Sequence, residues 1–499
     1  MAITDPIARS AAAARRAARA VLRCFSPRRL AATAAFLGGL ARQIRRRRAE
    51  PRLTVAVDID SLYETLTGVG WYLYEILEHL AQRDDLRLRL YGQALAPAAA
   101  GAAAAAPGAA PGGTGVAAAR SPATAGPAPT LAPTVKLPAG LAIEHVTYAA
   151  PDGLVIPPWR ADQWLRRAAP LLVAADRNRV LFGPNFLLPP LFRFAAGARV
   201  VAIHDLAFRR LPWAVRPDTA RALAESLERT LLEADLLLTD SRAVAGELAA
   251  AGVAPARVRP IHLGPGHLPP PSVLAAASPP PGTPERYGLF VGTLEPRKNL
   301  ATLLTAWREL RADRGRGGGG APPLLVAGPR GWRARDLYRQ LAEAEGEGWL
   351  RYLGYVSPTE LAALYRGATV VALPSLYEGF GMPAVEALAA GAPLVLSDLP
   401  VFREVAGDAA LYAPARRPDL WRDRLQEILA DETLRRDLAH RARQRAAHFD
   451  WHRAAAATAD AWREAAGPLP SSFDEDGIVR SKRRLNAATV VPLRPAGSA

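Results

Sequence analysis

Apolar residues in this chain come in short continuous runs, separated by stretches in which they recur at helical intervals, and that alternation predicts a buried parallel sheet flanked by helices. The first runs are Thr54–Ile59, Val180–Phe182, Val200–Ile203 and Leu236–Thr239, with a turn over TLTGVG and helices expected over Trp71–Leu80 and Thr219–Glu233. A second series repeats the rule: Tyr287–Gly292, Leu324–Ala327, Thr369–Leu373 and Pro393–Leu396 as strands, Leu300–Arg311, Asp419–Ala430 and Glu432–Ala447 as helices. The expected fold is α/β, two Rossmann-like parallel-sheet domains facing a cleft.

Breaks in the pattern divide the chain. A length of 499 residues fits more than one core. The Pro-rich stretch 269–284 reads as a linker between a domain over 51–268 and another over 285–448. A helix over 449–465 follows, then a tail over 466–499. Residues 94–139 are dominated by Ala, Pro and Gly and read as a flexible insertion. Leu90–Ala119 carries no charge, but Pro97, Pro107 and Pro111 argue against a membrane helix there.

Charge changes the picture mainly at the N-terminus. Residues 1–50 hold twelve Arg against Asp5 and Glu50, ten of the sixteen net positive charges. The basicity therefore belongs to a leader rather than to a nucleic-acid surface, and the folded region lacks a basic and aromatic stripe. Arg15, Arg19 and Arg23 recur every fourth residue, which suits a helix lying on an anionic membrane; a disordered tail and an organelle-targeting leader are the other readings. The apolar stretch Leu30–Leu40 is about half the ~20 residues needed to span a bilayer. Cys24 is the only cysteine, so no internal disulfide forms and a reducing cytoplasm is expected.

Candidate chemistry concentrates in Pro374–Pro400, PSLYEGFGMPAVEALAAGAPLVLSDLP. Gly379 and Gly381 let backbone approach a ligand, Pro383 suits the start of a helix, and Gly391 suits its left-handed end. Glu378 and Glu386 stand on either side of a helix N-terminus that attracts anions. Singly, Glu386 complements a helix dipole and Glu378 is a solvated charge; together with E-G-F-G they mark a ligand-binding corner. The run Thr293-Leu294-Glu295-Pro296-Arg297-Lys298-Asn299-Leu300 places two cations at the mouth of a helix, where a bidentate Arg and a point-charge Lys suit a diphosphate.

Weaker signals lie elsewhere. His204-Asp205 ends an apolar strand, so both enter the cleft if the strand is parallel, although a lone His is more often structural. Gly68 and Gly70 form either a simple tight turn or a cleft-facing one, without the third glycine of a dinucleotide fingerprint. Thr239-Asp240-Ser241 and Gly354-Tyr355-Val356 also follow strands. Asp58-Ile59-Asp60 matches a three-residue metal pattern, a weak signal at that length against a structural Asp at a strand end, and nothing else has metal-ligand spacing. Neither a metal nor a cofactor is expected.

The E-G-F-G corner with its second Glu resembles the E-x7-E signature of retaining nucleotide-sugar glycosyltransferases of family 4, which have the two-domain GT-B fold. The G-T-L-E-P-R-K-N-L and H-D-L segments are similar to those of bacterial mannosyltransferases that build surface polysaccharides. The resemblance implies that Glu386 binds the donor ribose and that Glu378, with the Phe380 and Gly381 amides, lies against its sugar. It implies that Arg297 and Lys298 contact the diphosphate, His204 the reacting carbon, and Gly68, Asp205 and Thr293 the donor, with Tyr355 and Val356 near the base. It further implies a closing helix at 449–465 and a same-face transfer of a hexose, mannose from GDP-mannose being favoured, to a glycan or lipid-linked acceptor. An inactive nucleotide-sugar-binding scaffold and a sugar-nucleotide epimerase are the alternatives.

Overall fold

A computed structural model describes residues 51–62, 68–92, 138, 141, 145–146, 173–174, 176–189, 192, 195–215, 217–266, 277–312, 321–331 and 334–467. The basic leader, nearly all of the Ala/Pro/Gly insertion, the first half of the linker and the tail from 468 lie outside them.

The central apolar runs, such as Val180–Gly183, Leu236–Thr239 and Leu324–Ala327, become strands buried along their whole length. β1 (Leu53–Asp58), β2 (Leu86–Gly92), β3 (His145–Val146), β4 (Val180–Gly183), β5 (Ala198–Ile203), β6 (Leu236–Thr239) and β7 (Val258–Pro260) make one sheet, ordered β3-β2-β1-β4-β5-β6-β7. Every pairing in it is parallel. β8 (Gly288–Val291), β9 (Leu324–Ala327), β10 (Leu350–Gly354), β11 (Val370–Leu373), β12 (Leu394–Ser397) and β13 (Ala410–Ala413) make the second, also parallel and ordered β10-β9-β8-β11-β12-β13. Parallel neighbours require crossovers, and helices supply them. In the first half these are α1 (Gly68–Leu80), α2 (Ala207–Arg210), α3 (Pro217–Glu233) and α4 (Arg242–Ala250). In the second they are α5 (Leu300–Ala312), α6 (Arg335–Gly346), α7 (Pro358–Gly367), α8 (Met382–Ala390), α9 (Pro400–Ala406), α10 (Pro418–Ala430) and α11 (Glu432–Ala446).

The final helix, α12 (Trp451–Ala466), follows α11 of the second half in the chain and packs on α1 and on strands of the first sheet. Buried Trp462 meets Phe182 of β4 with ring centres 5.1 Å apart. Trp451 donates to the Pro265 carbonyl at 2.7 Å, and Gly264 leaves room for its ring. The chain thus returns from the second half to the first, and α12 fastens it there.

The described part of one expected turn, Gly68–Gly70, is helical. The segment expected to turn at Gly68–Gly70 is the first turn of α1, which begins at Gly68 and so turns helical before Trp71. Gly costs a helix less at its open N-terminal end than in its interior, where backbone order must be paid in full. The glycines thereby bring the end of α1 to the cleft rather than a free loop.

Candidate functional site

Both strand orders reverse direction at their first strand, beside β1 in one sheet and β8 in the other, and such switch points open crevices beyond the carboxyl ends of the strands. The two crevices face each other. Between them lies a cleft of about 420 Å³ whose walls include His204, Asp205 and Gly68 from the first sheet and Arg297, Lys298, Glu378 and Glu386 from the second. Thr293, Tyr355, Val356, Phe380 and Gly381 line it too, so each residue singled out from the sequence for the site reaches one place.

The diphosphate loop is built by a tight 3-10 turn. Pro296–Lys298 forms that turn, and Asn299 closes it in the left-handed region at φ 54°. Asn299 Nδ2 donates to the carbonyls of Pro374 and Ala415 at 2.9 and 2.7 Å, which fixes the turn against the loop after β11. Arg297 and Lys298 therefore meet the E-G-F-G corner. Glu378 accepts from Arg297 Nη1 and Lys298 Nζ, each at 2.7 Å, and from Ser375 Oγ at 2.7 Å.

Burial opposes the charge on Glu378, but Lys298 and Arg297 outweigh it and lower the carboxyl to about 2. Arg297 also donates to Glu295 from Nε and Nη2, at 3.1 and 2.7 Å, and to the Tyr377 carbonyl at 3.1 Å. Most of its five donors are thus spent within the protein. Lys298, bonded to Glu378, keeps two of its three donors for a ligand.

On the same corner Gly381 caps α8 at φ 89°, Pro383 is its second residue, and Gly391 ends it at φ 70°. Glu386, just over one turn into α8, accepts from the Tyr365 hydroxyl at 2.8 Å. Burial pushes its carboxyl up to about 7, against the pull of the Tyr365 hydroxyl and of Lys298. Its other oxygen packs on Gly266, where any Cβ would collide with it.

The opposing wall is set by β5 and β6. His204 Nδ1 lies 2.8 Å from Asp240 Oδ2, and Nε2 lies 2.7 Å from the Pro184 carbonyl. Both partners are acceptors, so making both hydrogen bonds takes a proton on each ring nitrogen, the imidazolium form. Burial works against that charge, and the Asp240 carboxylate and the Pro184 carbonyl raise the pKa above the ordinary histidine value in spite of it. Tyr72 and Phe186 enclose the ring edge-on at 4.7 and 5.6 Å. In that form His204 has no free lone pair with which to take a proton. Asp205 lines the cleft and also accepts the Ala207 amide at 2.9 Å, at the start of α2.

Polar contacts bridge the two halves around the cleft. Ser241 Oγ donates to the Gly379 carbonyl at 2.6 Å, and the Leu206 amide donates to the Tyr377 hydroxyl at 2.9 Å. Glu404 on α9 accepts the amides of Arg242 and Ala243 at the start of α4, at 2.7 and 2.9 Å, and His262 Nε2 lies 2.6 Å from it. The sequence does not reveal Glu404, Tyr365 or the pairing of Asp240 with His204, since each contact joins residues far apart in the chain. Asp240 carried a signal in its place at a strand end; Tyr365 and Glu404 carried none.

Asp58 ends β1 and does not line the cleft. Among the described residues, Glu75, Glu78 and His79 on α1 are the grouping of three possible metal ligands, and they too lie outside the cleft lining. No helix among the described residues is long and apolar enough to cross a membrane.

Residues 276–445 match the family model of the glycosyl transferases group 1. The chain is 32% identical over 296 residues to the O-antigen chain mannosyltransferase B of Escherichia coli, a match spanning 58% of this chain and 74% of that one. It is 34% identical over 184 residues to the D-inositol 3-phosphate glycosyltransferase of Corynebacterium glutamicum, 35% of this chain and 43% of that relative. Among solved structures, the sucrose-phosphate synthase of Thermosynechococcus elongatus matches with a TM-score of 0.58 at 19% identity, over 83% of this chain and 99% of that one. Anabaena HepE matches with a TM-score of 0.53 at 15% identity, over 82% and 98%. With paired parallel sheets around one cleft and a match across most of an O-antigen mannosyltransferase, the chain belongs to the group 1 glycosyltransferases of GT-B fold and is similar to bacterial mannosyltransferases.

Proposed function

We propose that this glycosyltransferase is a metal-independent, retaining enzyme of family 4 that moves mannose from GDP-mannose to a hydroxyl of a glycan or lipid-linked glycan in surface-polysaccharide synthesis. The observation that carries the reading is the convergence of Lys298, Arg297, Glu378 and Glu386 from one sheet with His204 from the other in a single cleft. Relatives named as O-antigen and serotype-specific mannosyltransferases support the sugar and the pathway class. HepE, solved with UDP, supports a nucleotide-sugar donor.

In this reading the donor diphosphate lies over Lys298 and the start of α8, whose first-turn amides and dipole favour an anion. Arg297 contributes one remaining N–H and chiefly orients Glu378. As the bond from the sugar's anomeric carbon to the phosphate oxygen breaks, charge builds on the diphosphate, and these fixed groups stabilise it. The acceptor oxygen bonds to the same face of that carbon, and its proton passes to the departing phosphate, so nucleoside diphosphate leaves. Glu378, kept ionised, accepts hydroxyls of the donor sugar, and Glu386 accepts those of the ribose. His204 supplies a fixed positive charge and its backbone, not a base. The basic leader rests on an anionic membrane at the cytoplasmic face.

A thermal-shift panel of GDP-, UDP- and ADP-sugars identifies the donor, because a ligand of the native state raises apparent stability. Release of nucleoside diphosphate only when acceptor is added separates transferase from epimerase and from an inactive binder. Unchanged transfer by Arg297→Ala with Lys298→Ala would sink the diphosphate assignment. Deletion of residues 1–50 is expected to leave transfer intact and reduce membrane association; unaltered fractionation rejects that role for the leader.

A further inference from the structure

We infer that Tyr365 is a positioning residue for donor binding: through its hydroxyl it holds the Glu386 carboxylate in place, and so sets donor affinity rather than the rate of transfer. The inference rests on the reading of Glu386 as a donor ligand.

Tyr365 is fully buried on α7 and does not line the cleft, so it touches no ligand and acts only through Glu386. Its helix is anchored by a capping box: Ser357 Oγ accepts the Glu360 amide at 3.3 Å, and Glu360 Oε2 accepts the Ser357 amide at 2.9 Å. A ring held that way delivers its hydroxyl to one point, 2.8 Å from Glu386 Oε2. Gly266, on the chain leaving the first sheet, presses on Oε1 from the other side. The carboxylate is thus clamped between a fixed donor and a backbone without a side chain. Only one orientation remains for its contact with the cleft.

Two titratable groups act on Glu386: Tyr365 from α7 and Lys298 from the loop after β8, both lowering a carboxyl that burial raises. Losing the hydroxyl therefore makes Glu386 harder to ionise and shifts any binding that needs its charge to higher pH. A tyrosine whose hydroxyl merely satisfies the core would change stability and leave that profile where it is.

The test is Tyr365→Phe in the full chain, assayed with GDP-mannose and UDP-glucose from mildly acidic to mildly alkaline pH. Donor KM is expected to rise about tenfold, as for a lost hydrogen bond to a charged group, with kcat within about twofold, and the acid limb of donor binding is expected to move to higher pH. Unmoved KM and limb overturn the inference. A double-mutant cycle with Glu386→Gln is expected to be non-additive, and additive losses overturn it as well. Glu386→Ala separates the two claims. If it leaves donor KM unchanged, the donor reading of Glu386 falls; if it raises KM while Tyr365→Phe does not, only the role of Tyr365 falls.

Discussion

The carbonyl oxygen of His204 lies against the Cα of Gly379, so closely that a Cβ at that position would overlap it. The two residues come from different sheets, and their contact brings the His-Asp strand end to the E-G-F-G corner. Gly379 is required here for the approach of one half to the other.

Gly379→Ala is therefore expected to hold the halves apart. Overpacking of this kind costs about 1–3 kcal/mol, which predicts a loss of roughly 5- to 150-fold in kcat/KM. Steady-state kinetics with the best donor of the panel checks it, with circular dichroism confirming the unaltered fold.

Glu378 predicts an acid limb in stability. Its folded value, about 2, lies below the ordinary carboxylate value, so its contribution is complete above that ordinary value and disappears as pH falls through about 2. The shift corresponds to about 3 kcal/mol. Lys298→Ala is expected to raise the Glu378 carboxyl and shrink this limb, and to destabilise the protein at neutral pH by less than the about 3–5 kcal/mol of an unpaired buried charge, because Arg297 and Ser375 still bond Glu378. Urea unfolding from neutral to acid pH measures both. Glu386 acts in the opposite sense, because its stabilising effect is complete below the ordinary carboxylate value and is lost as pH rises through about 7.

His204 should carry a proton on both ring nitrogens at neutral pH, because Asp240 and the Pro184 carbonyl each accept from it. Its folded pKa is raised, so the stability it supplies is present below the ordinary histidine value and fades as pH rises through the folded one. Nitrogen-15 NMR of the ring is expected to show imidazolium in the wild type and a neutral ring in Asp240→Asn. A neutral wild-type ring at pH 7 would refute the assignment.

Glu404 predicts an effect far from the donor. Its carboxylate caps α4 from the opposite half and contacts His262. Glu404→Ala removes a cap worth about 0.5–2 kcal/mol and weakens the closed arrangement. A more open particle in small-angle scattering and a raised donor KM are expected, with the isolated secondary structure unchanged.

Much of this molecule was legible along the chain. Continuous apolar runs such as Leu236–Thr239 and Leu324–Ala327 coincide with β6 and β9, because a strand buried on both faces needs no alternation to declare itself. The ends of α8 were equally readable, since Gly391 adopts the left-handed conformation that its residue type favours. Charge pairing across the sequence was not. Arg297 and Lys298 read as ligand cations, yet both spend hydrogen bonds on Glu378, and Arg297 spends more on Glu295. The sequence by itself picked out candidate residues at strand ends and helix starts that line the cleft, because local pattern sets those ends. Tertiary structure decided which of them remain free to act: with Glu378 held by two cations, His204 by Asp240 and Glu386 by Tyr365, protonation follows from partners brought together across tens of residues, and no local spacing encodes that.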